Sequence, residues 1–87
     1  MIDKLIDKLY NIYDKDIVDN ISVNKDNIKI IYDYFEKINI RGIDYIFEKR
    51  PHIFLLDINI IRNYIDKIGI NKFIDSIDND ISILDNI

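Results

Sequence analysis

The fold is decided by the stretch Asp57–Gly69, DINIIRNYIDKIG. Ile58, Ile61, Ile65 and Ile68 recur at steps of three and four, which places them on one face of a helix with Tyr64 at its flank. Asp57 stands where a side-chain oxygen can accept from the free amides of a first turn. Gly69 follows where a residue able to take positive φ ends a helix. A start signal, a periodic stripe and a stop signal agree here, and the rest of the chain is read outward from this helix.

On its N-terminal side, Pro51 removes a backbone donor and disfavours helical geometry at Arg50, so the pattern of Ile43, Ile46 and Phe47 ends as a short helix near Arg50. Pro51 can itself open a turn, and His52–Leu56 then forms one compact apolar turn. Further back, Ile28, Ile31, Tyr32, Phe35 and Ile38 predict a helix over about 25–38 with Asn24 as cap. Ile17, Val18 and Ile21 predict one or two turns, and Ile2, Leu5, Ile6, Leu9, Ile12 and Tyr13 a longer amphipathic helix. On the C-terminal side, Asn71 is expected to cap a short segment over 72–78, and Ile81, Leu84 and Ile87 to lie on a last short helix. The expectation is all-α, a small bundle or short helical-repeat array of five to six short helices in a single domain over residues 1–87. The alternative is α+β. Ile and Val are β-branched, residues 21–30 alternate around a polar 24–27 turn and could form a hairpin, and 80–84 alternate likewise.

Eighty-seven residues without cysteine must be held together by apolar packing, which 48% hydrophobic content can supply. The chain has 24 Ile, 14 Asp and 10 Asn but no Ala, Thr, Gln, Trp or Cys, a skew expected of an AT-rich genome. No apolar run approaches the roughly 18 residues of a membrane span. Asp3, Asp7 and Asp14 interrupt the region where a signal peptide's apolar stretch would lie. A soluble, cytoplasmic protein without a membrane partner is expected.

An internal repeat is visible when 35–40 is laid on 65–70 and 43–57 on 71–85; seven of the 21 pairs are identical. Each unit is a longer helix, a Gly or Asn break, and a shorter helix followed by an apolar turn, about 30 residues in all. The run over 43–70, IDYIFEKRPHIFLLDINIIRNYIDKIGI, resembles one repeat of the mitochondrial transcription termination factor (mTERF) family, the match resting on Arg50, Pro51, Leu55, Leu56, Ile65 and Gly69. The resemblance implies a left-handed solenoid of stacked, triangular three-helix units whose concave, usually basic surface contacts nucleic acid. The chain departs from it at Asn79, where the second unit has no counterpart of Pro51, and over its N-terminal third.

No residue pattern points to catalysis. His52 is the only histidine, and with no cysteine or serine elbow it assembles neither a triad nor a zinc site, so no catalytic, cofactor-binding or metal-ligating residue and no small-molecule substrate is expected. Asp78–Asn79–Asp80 begins like a calcium loop but lacks its glycine and closing acidic residue. The charge distribution is more informative: residues 1–36 carry net −3, residues 37–72 net +3 and residues 73–87 net −4, within a total of −4. The basic middle singles out Arg41, Lys49, Arg50, His52 and Arg62, expected to cluster around the Pro51 turn as a site for an acidic partner. The flanking carboxylates argue against strong phosphate binding. The expected function is therefore a non-catalytic helical interaction protein binding another macromolecule, foremost a protein or a second copy of itself. The alternative is an mTERF-like nucleic-acid-binding regulator using residues 37–72.

Overall fold

A computed structural model describes residues 2–87 and resolves six α-helices and two 3-10 helices: α1 (Ile2–Leu9), α2 (Lys15–Ser22), α3 (Lys25–Lys37), α4 (Ile43–Lys49), η1 (Pro51–Leu55), α5 (Ile58–Ile68), α6 (Ile70–Asn79) and η2 (Ile81–Asn86). The all-α expectation holds. The hairpin alternative does not, because residues 21–30 lie in the end of α2 and the start of α3. The Val23–Asn24 turn has ordinary negative φ, and Ile21 and Ile28 are buried on helices rather than paired across strands. The β preference of branched residues reflects packing, so a helical stripe that buries Ile28, Ile31, Tyr32 and Phe35 overrides it. Residues 80–84 likewise enter η2, with Asp80 accepting from the Ser82 amide at its start.

The central helix forms as its sequence dictates. The Asp57 carboxylate accepts from the Asn59 amide at 2.7 Å, Ile61 and Ile65 are fully buried, and Gly69 takes φ +91°. Ile58 and Ile68 sit half-buried at the ends of the stripe. Asn71 is not a cap: Gly69 closes α5 and opens α6 at once, so α6 starts at Ile70 and Asn71 lies in its first turn. The first helix is also shorter than its periodicity suggests. It stops at Leu9, and a turn carries Ile12 to the surface while Tyr13 packs half-buried. Gly69→Ala should cost on the order of 1 kcal/mol in urea denaturation although a methyl there meets nothing within 4 Å, because the penalty is the positive φ alone.

The repeat is real in element order, with a corrected register. Arg50 joins α4 to η1 as Asp80 joins α6 to η2, and Asn39 and Gly69 both take positive φ, so a step of 30 residues aligns these junctions instead of a shift to 28 after residue 43, while the break between the two helices spans 38–42 in the first unit and is Gly69 alone in the second. At that step five buried residues of the first unit meet buried ones of the second, Ile31 with Ile61, Phe35 with Ile65, Ile43 with Phe73, Phe47 with Ile77 and Phe54 with Leu84, while buried Tyr32, Ile40 and Ile46 fall on Arg62, Ile70 and Ser76, which are not buried. The first unit, α3–α4–η1, is the middle layer. α1 and α2 cover one side of it and α5–α6–η2 the other. The two sides of each unit are not equivalent: Arg41, Tyr45 and Ile46 on the first unit face Ile77 and Asp78 of the second. The positions 30 residues on from those three are Asn71, Asp75 and Ser76, so the second unit presents a polar surface where a further layer would stack.

All layers share one core, in which Phe54 meets Phe35 and Phe47 edge to face at 5.5 and 5.0 Å. Among the described residues no buried side-chain polar atom lacks a partner. The Tyr32 hydroxyl donates to Asp44 at 2.8 Å, and burial first, then that bond to a carboxylate, pushes its phenol up to about 12. A raised folded-state value favours folding below the unfolded phenol's titration near 10, and the contribution is lost as pH rises through about 12. Ultraviolet titration should therefore show a phenolate step near 12 that disappears in Tyr32→Phe.

Candidate interaction groove

Two tethers build the site. The Asn27 side-chain amide donates to the carbonyls of Phe54 and Leu56, both at 2.9 Å, so the start of α3 holds the end of η1. The Tyr13 hydroxyl donates to the Glu48 carbonyl at 2.8 Å and fastens the α1–α2 turn to the end of α4. Between the structures so held, α2 and η1 face each other across an open groove of about 550 Å³. Ile17, Asn20 and Ile21 of α2 form one wall, Pro51, His52 and Leu55 of η1 the other, and the Tyr13 ring, Lys49, Arg50 and Asp85 complete it.

The groove is apolar because the local sequence has more hydrophobic side chains than the core can take. Val18 and Ile21 are buried, so Ile17, one residue ahead of Val18, turns outward and is 48% exposed. In η1 the four-residue run Ile53–Leu56 exceeds one face of a short helix; Ile53 and Phe54 go inward and Leu55 is left 37% exposed.

The rim charges are unevenly matched. The Arg50 guanidinium donates to both carboxylate oxygens of Asp85, at 2.9 and 3.4 Å, and to the Lys49 carbonyl, so η2 neutralises it. The Lys49 ammonium lies 5.7 Å from the centre of the Tyr45 ring and pairs with no carboxylate among the described residues.

Of the five residues singled out from sequence, Lys49, Arg50 and His52 come together at this groove. Arg41 lies at the other end of α4, in a second hollow of about 310 Å³ that it shares with Asp78. Arg62 lies on α5, its guanidinium 5.9 Å from the centre of the Tyr34 ring. The basic middle thus does not converge on one point; helix α4 holds Arg41 and Arg50 apart and α5 carries Arg62 elsewhere.

The residues that sequence reading passed over are Tyr13, Ile17, Asn20, Leu55 and Asp85. Ile17 and Leu55 had a signal, the apolar excess just described. Asp85 had none, since its pairing with Arg50 spans 35 residues. Among the described residues no three His, Cys, Asp or Glu side chains gather to hold a metal ion, and no helix is long and apolar enough to cross a membrane. Comparison with known families, with curated proteins and with solved structures finds no match to the chain.

Proposed function

We propose that this protein is a non-catalytic interaction module that captures another protein in the groove between α2 and η1. One observation carries the reading: Ile17 and Leu55, held on two tethered helices, face outward across an apolar groove where the chain itself does not cover them. Exposed aliphatic side chains on fixed elements are what a partner's apolar anchors bury, and burial of that kind supplies most of the energy of a protein contact.

The mTERF-like reading draws support from the helix, helix, 3-10 order repeated at 30 residues. The site favours a protein over nucleic acid for an electrostatic reason. Phosphate binding needs several free cations acting together, whereas here Arg50 is spent on Asp85, Arg41 faces Asp78 across its hollow and Arg62 packs on Tyr34. Binding of single-stranded and duplex DNA and RNA, followed by fluorescence anisotropy at ~50 mM salt where screening is weak, is expected to be negligible. Tight binding that falls steeply with salt, and that is lost when Arg41, Lys49, Arg50 and Arg62 are all changed to Glu, would replace this reading with the nucleic-acid one.

A further inference from the structure

We infer that the segment held in the groove is an acidic amphipathic helix of the partner protein, an inference that rests on the docking role proposed above. The conformation follows from backbone accounting. An extended segment would bring a row of unpaired amides and carbonyls against the walls, and buried backbone groups must be satisfied. The walls offer aliphatic side chains, and because Arg50 and Asp85 hold each other and the Tyr13 hydroxyl holds the Glu48 carbonyl, the polar side chains left to serve a partner's backbone are few: the Asn20 amide, the His52 ring and the Lys49 ammonium. A helix satisfies its own backbone and needs from the groove only apolar contact.

The spacing of the walls fits that shape. Ile17 and Ile21 stand four residues apart on α2, roughly 6 Å along its axis. His52 and Leu55 stand three apart on η1, one above the other on the same face and about 6 Å along a 3-10 axis. Two turns of an incoming helix, with apolar side chains at positions i, i+3 or i+4, and i+7, span both pairs.

The charge of the occupant follows from the rim. Asp85 already answers Arg50, while Lys49 has no carboxylate partner among the described residues, so the local surplus is positive within a protein of net charge −4. A carboxylate on the flank of the incoming helix supplies the missing partner; a lysine there meets a like charge at close range.

The test is selection from a phage-displayed library of random 16-residue peptides on the full chain, with counter-selection on the Ile17→Asp, Leu55→Asp double variant. Ile17 and Leu55 are 48% and 37% exposed, so that variant should stay folded, with a helical circular dichroism spectrum and a cooperative melt. Selected peptides are expected to carry apolar residues at helical spacing with net negative charge, and to become helical on binding by circular dichroism. Lys49→Glu should weaken such a peptide by about tenfold, and exchanging the peptide's acidic residues for lysine should restore binding to that variant. Groove-dependent peptides that are basic, or that bind without becoming helical, overturn the inference and leave the docking role standing. A library that yields no binder sensitive to the double variant overturns both.

Discussion

Changing Ile61 to aspartate should unfold the protein, while the same change at its neighbour Ile60 should leave stability within about 0.5 kcal/mol of the parent. The two isoleucines are consecutive on α5, yet Ile61 is fully buried and Ile60 is 50% exposed. A carboxylate at Ile61 would sit without a partner in the shared core, where among the described residues no polar or charged one is buried. Either the ion is desolvated or its proton is retained, and each route costs several kcal/mol. A domain this small has on the order of 5 kcal/mol to lose. Thermal and urea melts followed by circular dichroism decide the matter: equal effects at the two positions would show that the stripe on α5 does not face the core.

Phe54→Ala is expected to cost about 4 kcal/mol. Its ring is fully buried in the middle layer and meets Phe35 at 82° and Phe47 at 89°, both edge to face, so truncation opens a cavity and removes two aromatic contacts together. Leu84→Ala, at the position 30 residues on, is expected to cost roughly 2 to 3 kcal/mol, because the lost volume is smaller and the second unit has a neighbouring layer on one side only. Urea midpoints at constant slope measure both. A Phe54→Ala cost below that of Leu84→Ala would contradict the placing of the first unit between two layers. Because Phe54 and Leu55 are consecutive in η1, the same 3-10 turn that fills the core presents the groove wall, which ties stability and site to one short element.

Elements bounded by local chemistry were legible in the sequence. Asp57, the Ile61–Ile65 stripe and Gly69 mark α5 without tertiary information, and Pro51 marks the junction of α4 and η1. Residues 21–30 were ambiguous because Ile and Val suit strands and helices alike, and only the burial of Ile28 and Ile31 against other layers resolves them. The start of α6 was misplaced at Asn71 because a single glycine both ends one helix and begins the next, which leaves no room for a polar cap. The candidate site divides along the same line. Lys49, Arg50 and His52 are close in sequence and stay together; Arg41 and Arg62 are separated by the directions of α4 and α5, which composition does not encode. The groove required knowing that Tyr13 fastens the α1–α2 turn to α4 and that Asn27 fastens η1 to α3, hydrogen bonds that span 35 and 27 to 29 residues.

Docking of a protein in the groove is tested most directly by placing a photo-activated cross-linking residue at Leu55, on the groove wall and 37% exposed, and in a second sample at Ile30, which is more exposed at 51% on α3 but not among the groove residues. With both proteins expressed in the native host and illuminated, the Leu55 position should give a discrete adduct that resists nuclease and disappears when Ile17→Asp is added, and the Ile30 position should give none. No adduct from Leu55, an adduct of equal yield from both positions, or one that nuclease destroys would contradict the assignment of this groove as a protein-binding site.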